Sequence, residues 1–209
     1  MSSNDAVVER IAKRVMQRLS SPKIELEASG RHVHLTRESV DILYGKGYRL
    51  TAKAPLSQPG QFVCEERIQV VGAKGKFPSV VILGPERPET QLEISATDAQ
   101  VLGIEAPVRL SGNIEGTPGV LLEGPKGKLA IPYGVIIALR HIHATPGYAR
   151  LYGLSDNQRV SVQVESERPL TFHGVILRVS PQYDNYFHID YDEANACGFY
   201  KGMMGTILP

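Results

Sequence analysis

Tyr186-Phe-His-Ile-Asp-Tyr-Asp-Glu-Ala-Asn-Ala-Cys-Gly-Phe199 lies without a gap on Gln91-Leu-Glu-Ile-Ser-Ala-Thr-Asp-Ala-Gln-Val-Leu-Gly-Ile104. Ile189 falls on Ile94, Glu193 on Asp98, Ala194 on Ala99, Gly198 on Gly103, and His188 on Glu93. Upstream, Val175-Ile176-Leu177 answers Val81-Ile82-Leu83 with a displacement of one residue, and Arg140-His-Ile-His143 answers Arg31-His-Val-His34. The chain therefore reads as two copies of one unit. Each copy carries a His-x-His and, later, one more side chain able to hold a metal.

In an extended strand residues i and i+2 point to the same side, so each His-x-His offers two imidazoles to one ion or ligand. The pairs use four of the six histidines. With the third position of each copy they form two candidate triads: His32, His34 and Glu93, and His141, His143 and His188. Three protein ligands with open positions for water or substrate is the form of a catalytic zinc site. Imidazole also suits cobalt, nickel or iron, so the pattern speaks for a metal before it speaks for a particular one. A lone His-x-His would more often be a strand pair satisfied by backbone hydrogen bonds; duplication with a matching third position favours metal.

At 209 residues the chain has room for one large domain or two small ones, and the repeat favours two. A formal net charge of +1 with 22% charged residues is no footprint for nucleic acid or for an anionic membrane. The best apolar run, Gly134 to Leu139, falls far short of the roughly 20 residues that span a bilayer, so a soluble protein is expected. Cys64 and Cys197 stand far apart with no secretory leader, which suits a reducing compartment and small buried thiols.

Residues 4–19 show the clear helical period: Val7, Val8, Ile11, Ala12, Val15, Met16 and Leu19 make one apolar stripe opposite a largely basic face. Ser20-Ser21-Pro22 ends it. From Lys23 onward, short alternating strands are broken by Gly and Pro. Strands are expected at Lys23 to Ala28, at both His-x-His segments, and at Phe62 to Val71, Ser79 to Leu83, Gly119 to Leu122, Lys128 to Ile131, Gly134 to Leu139, Arg159 to Val164 and Gly174 to Val179. Short helices are expected at Thr36 to Tyr44, Asp98 to Leu102, Thr145 to Tyr152 and Asp192 to Cys197, each stopped by a following glycine. Many strands at short spacing predict a mainly β protein of barrels or sandwiches and disfavour parallel βαβ architecture.

Leu83-Gly-Pro-Glu-Arg-Pro88 leads into the segment of Glu93, and Arg87 there presents a guanidinium fork suited to a phosphate or carboxylate. Six motifs stand in order along the chain: Ser29-Gly-Arg-His-Val-His-Leu35, Leu56-Ser-Gln-Pro-Gly-Gln61, Ile82-Leu-Gly-Pro-x-Arg87, Thr90-Gln-Leu-Glu-Ile-Ser95, Arg140-His-Ile-His-Ala144 and His188-Ile-Asp-Tyr-Asp-Glu-Ala-Asn-Ala196. Together, over about residues 23–209, the chain resembles the PduL-type phosphotransacylases, the phosphate propanoyltransferases of bacterial microcompartments.

The resemblance implies two β-barrel domains related by duplication, residues 31–138 and residues 139–209 with 21–30, an early strand pairing with the opposite barrel. It implies a two-metal site, usually zinc, between them, and reversible exchange of acyl-CoA and phosphate for acyl phosphate and CoA. His32, His34 and Glu93 would hold one ion and His141, His143 and His188 the other; Arg87 would bind phosphate; Ser29 and Asn195 would touch CoA. Residues 1–20 would be a targeting helix, residues 4–19 docking to shell or cargo proteins and placing the enzyme in a microcompartment lumen within the cytoplasm. A homo-oligomer, often a dimer, is implied.

The chemistry expected is direct attack of phosphate on the thioester carbonyl, propanoyl or acetyl, with neither cysteine needed. Two other readings use the same residues. A metal-dependent thioester or phosphoester hydrolase would replace phosphate by water, and a metal-stabilised scaffold module would have no turnover at all.

Overall fold

The computed structural model describes residues 21–208, together with Val7, Val8, Ala12 and Val15, which are helical. The rest of the helix expected over residues 4–19 lies outside the described residues. Among the described residues no helix is long and apolar enough to cross a membrane.

The first elements are β1 (Lys23–Ser29), β2 (His32–His34), α1 (Arg37–Tyr44), β3 (Ala52–Pro55), β4 (Phe62–Val71), β5 (Lys76–Gly84), β6 (Gln91–Ile94) and α2 (Ala96–Leu102). Then follow β7 (Val108–Arg109), β8 (Val120–Glu123), β9 (Lys128–Ile131), β10 (Val135–Ala138), β11 (His141–Ala144) and α3 (Pro146–Tyr152). The last are β12 (Arg159–Val164), β13 (Leu170–Val179), β14 (Tyr186–Asp190), α4 (Tyr191–Cys197) and β15 (Met204–Leu208). The fold is mainly β, as the strand spacing predicts.

Each of the four short helices has a capping device at its start. Thr36 and Thr145 accept from the backbone N–H of Ser39 and Tyr148, two residues past the second histidine of each His-x-His. Ser95 and Asp98 form a reciprocal capping box on α2. At the start of α4, Glu193 N–H donates to Asp190 Oδ1 at 2.8 Å and Asp190 N–H to Glu193 Oε2 at 3.2 Å, the same box at the matching positions. Gly103, with φ 70°, and Gly198, with φ 63°, end both helices in the left-handed region that favours glycine.

The chain divides into two compact units: Met1–Glu27, Arg140–His188 and Asn195–Pro209 in one, Ala28–Leu139 and Ile189–Ala194 in the other. A closed six-stranded barrel runs β1-β14-β11-β13-β12-β15 and shuts where β1 pairs antiparallel with β15, Lys23 opposite Thr206. Alternation sends Ile24, Leu26, Ile142, Val162, Leu177, Phe187 and Ile207 into buried positions, each at most 2% exposed. Phe172 and Phe187 meet edge to face at 5.5 Å. Gly205 is required there for space: a Cβ would lie 2.5 Å from Val162 Cγ1.

The other sheet has nine strands, ordered β7-β10-β6-β2-β5-β4-β8-β9 with β3 added beside β4, and it stays open, curling over its own core. Val33, Leu35, Val40, Leu43, Ile68, Ile82, Leu92 and Leu102 belong to that core. β5 begins at Lys76, three residues before the strand expected from Ser79. Pro78 is tolerated because Ile68 faces Val80 while Val70 faces Phe77, so the proline sits at a register irregularity. Among the described residues four strand pairs are parallel: β2 with β5, β10 with β6 and β7, and β11 with β13. Period-two patterning alone does not reveal that direction.

Candidate metal centre

In the open sheet β2 lies between β5, parallel, and β6, antiparallel, with His32 opposite Glu93 and His34 opposite Gln91. Val33, between the histidines, enters the core with its neighbours Ile82 and Leu92, so His32, His34, Gln91 and Glu93 share the opposite side. All four are nonetheless at most 7% exposed. One donor atom from each of His32, His34 and Glu93 falls within 4.8 Å of the others.

The surroundings fix how these donors face one another. His32 Nδ1 lies 2.8 Å from the Gly30 carbonyl, which sets that nitrogen as the N–H and turns Nε2 toward Glu93. Glu93 Oε1 accepts from Ser111 Oγ at 2.7 Å and from Gln91 Nε2 at 2.6 Å. Gln91 in turn accepts from Gly112 N–H at 2.8 Å. Gly30 lies close under the Tyr191 ring: a Cβ there would come within 3.0 Å of it, so the ring would have to shift.

Burial opposes charge on Glu93, yet His32, His34 and Ser111 beside it hold the carboxyl far below the usual range. Burial also opposes charge on His32, but the Glu93 carboxylate and the Gly30 carbonyl raise it overall. His34 goes the other way: burial, His32 and Arg87 lower it to about 3, so it is neutral at physiological pH.

The barrel repeats the arrangement. β11 lies between β13, parallel, and β14, antiparallel, with His141 opposite His188 and His143 opposite Tyr186. Val81 faces His32 as Ile176 faces His141, so the apolar strands of the two copies correspond as Val81 to Ile176 and Ile82 to Leu177. That register removes the one-residue displacement read from the sequence, because hydrogen bonding and not side-chain identity sets strand correspondence. Donors from His141, His143 and His188 again fall within 4.8 Å. The rings stand 4.7 Å (His141–His143), 5.1 Å (His141–His188) and 4.8 Å (His143–His188) apart. Tyr183 stacks on His143 at 3.9 Å, and Glu27 Oε2 lies 3.2 Å from His188 Nδ1.

The donor sets suit a divalent ion. His32 Nε2 to Glu93 Oε2 is 3.6 Å and His34 Nε2 to Glu93 Oε1 is 3.8 Å, both too long for hydrogen bonds. Two ligands each about 2.0–2.2 Å from one tetrahedral ion stand roughly 3.3–3.6 Å apart, close to those separations.

Arg87 follows β5; its N–H donates to the Leu35 carbonyl at 2.9 Å, next to His34, and its Nη1 donates to Ser111 Oγ at 3.2 Å. It is thus joined to Glu93 through one hydroxyl. Ser29, the last residue of β1, is half-buried, and Asn195 is exposed on α4; neither is among the converging donors. Sequence reasoning missed Gln91, Ser111, Glu27 and Tyr183. Gln91 was within reach, since it lies two residues from Glu93 on one strand; Ser111, Glu27 and Tyr183 carry no local signal. Cys64 and Cys197 are both buried, as expected of small packing residues.

The family model for phosphate propanoyltransferase matches residues 25–200. A phosphate propanoyltransferase of Enterococcus faecalis is 54% identical over all of this chain and 98% of its own length. One from Listeria monocytogenes is 52% identical over 99% of this chain and 97% of its own. One from Salmonella typhimurium is 42% identical over 92% and 91%.

Proposed function

Because the chain belongs to the phosphate propanoyltransferase family, and so is an acyltransferase, we propose that it interconverts propanoyl-CoA and phosphate with propanoyl phosphate and CoA at two divalent ions. His32, His34 and Glu93 hold one ion and His141, His143 and His188 the other, with zinc favoured by the donor types. The observation that carries the metal reading is the repeated register: in both units a His-x-His strand faces a third donor across an antiparallel pair.

Ions held by these residues would supply Lewis-acid polarisation of the thioester carbonyl and positive charge beside the oxyanion and the departing thiolate. Arg87 binds two oxygens of phosphate through its guanidinium and holds one oxygen for attack. That oxygen bonds to the carbonyl carbon, the carbon–sulfur bond breaks, and the phosphate proton leaves with CoA sulfur as the free thiol. Ser111 fixes Arg87 relative to Glu93, and Ser29 and Asn195 contact CoA. Neither cysteine takes part. Acetyl-CoA is accepted by the same chemistry.

Residues 4–19 serve as an encapsulation helix that docks to microcompartment shell or cargo and places the enzyme in the lumen; the described valines Val7, Val8 and Val15 are 39–65% exposed. The working form is a homo-oligomer, a dimer. Light scattering checks the second point, and a fluorescent protein carrying residues 1–20 checks the first.

The deciding experiment is CoA release from propanoyl-CoA and acetyl-CoA, with and without phosphate, on protein of known metal content and on Arg87→Ala. Expected is phosphate-dependent release that needs metal and falls about 100- to 1,000-fold in Arg87→Ala, the scale for losing one preorganised charge-stabilising donor. Release indifferent to phosphate would establish hydrolysis instead, and none from fully metallated protein would establish a scaffold.

A further inference from the structure

The two triads differ in charge. One includes a carboxylate, Glu93; the other is three imidazoles, which bring none. Three neutral donors leave both charges of a divalent ion uncompensated. The missing anion lies one strand away. β1 neighbours β14 in the barrel. Ile24 and Leu26 of β1 are buried and so is Phe187 of β14, so alternation puts Glu25 and Glu27 on the same side as Tyr186 and His188.

Glu27 Oε2 is 3.2 Å from His188 Nδ1, its carboxylate about one-third exposed and the imidazole largely covered. β1 is fixed there on its other edge: Glu25 faces Met204, and Leu26 N–H donates to the Met203 carbonyl at 2.9 Å. In the open sheet the corresponding task at His32 Nδ1 falls to a backbone carbonyl, that of Gly30. A carbonyl orients a ring; a carboxylate orients it and adds negative charge.

We infer that Glu27 is the positioning residue of the three-histidine group: its carboxylate accepts a hydrogen bond from His188 Nδ1–H, leaves Nε2 to face the ion, and supplies the negative charge that Glu93 supplies in the other group. This rests on the two-metal reading. Partners of this kind raise the basicity of a ligating histidine, and their loss typically costs 10–100-fold in metal affinity.

The test compares wild type, Glu27→Gln and Glu27→Ala by competition of zinc against a chelator, resolving two sites, with cobalt absorption as a second readout. His141→Ala identifies which of the sites is the three-histidine one. Expected is a 10–100-fold weakening at that site in both variants, a shift of its cobalt bands, and no change at the other site. Glu27→Gln preserves shape and an acceptor, so its weakening isolates charge from folding. Wild type that binds two ions while Glu27→Gln binds them as tightly overturns this inference alone. Wild type that binds no metal overturns both this inference and the two-metal reading beneath it.

Discussion

Replacing Ser111 with alanine should weaken the Glu93 site and phosphate binding together. Its hydroxyl donates to Glu93 Oε1 at 2.7 Å and accepts from Gln91 Nε2 at 2.9 Å and Arg87 Nη1 at 3.2 Å. A hydrogen bond to a charged group is worth about 1.5–3 kcal/mol. At about 1.4 kcal/mol per tenfold, that corresponds to roughly 10- to 100-fold. Gln91 still donates to the same oxygen at 2.6 Å, so metal affinity should move only by the lower figure, about tenfold. Arg87 loses its tie to the site, so KM for phosphate should rise about tenfold or more while KM for propanoyl-CoA changes little. The assay is steady-state kinetics with each substrate varied, alongside zinc competition. Zinc affinity and KM for phosphate both within twofold of wild type would refute the idea that Ser111 joins arginine and carboxylate.

Stripping metal with a strong chelator should abolish CoA release and lower the melting temperature, with both restored by zinc, because a group of buried donors left without an ion is destabilising. Burial, with Glu66 and Glu86 nearby, pushes the Cys64 thiol up to about 11. A thiol whose folded value lies above the ordinary 9.0 stabilises the native state below about pH 9, and that contribution disappears as pH rises through about 11. At pH 8 Cys64 should therefore resist iodoacetamide until denaturant is added, as followed by mass spectrometry. Ser95→Ala removes the cap of α2 and its box with Asp98. It should cost about 1 kcal/mol, seen as a fall of roughly 2–4 °C in melting temperature.

Much of the local structure was legible because it depends on short spacings. Thr36 and Thr145 read as helix starts, Gly103 and Gly198 as helix ends, and the His-x-His pairs as two side chains on one side of a strand. Duplication then grouped His32 with Glu93 and His141 with His188, and in the structure those pairs stand directly opposite one another. The correspondence of Val81 with Val175 was misread by one residue, since either apolar run fits a buried strand. Only the hydrogen-bonded ladder shows that Ile176 takes the place of Val81.

The sequence by itself determined the mainly β class, the repeat, and which side chains of each copy share a strand face, because these follow from periods of two and 3.6 along the chain. The tertiary structure alone decided which strands run parallel, that one sheet closes through β1 and β15 while the other stays open, and which residues support the donors. Ser111 comes from a loop 18 residues after Glu93, and Glu27 from a strand at the far end of the chain from His188. Contacts of that kind are set by register and strand order. Those in turn come from the burial of the whole core, which no local pattern encodes.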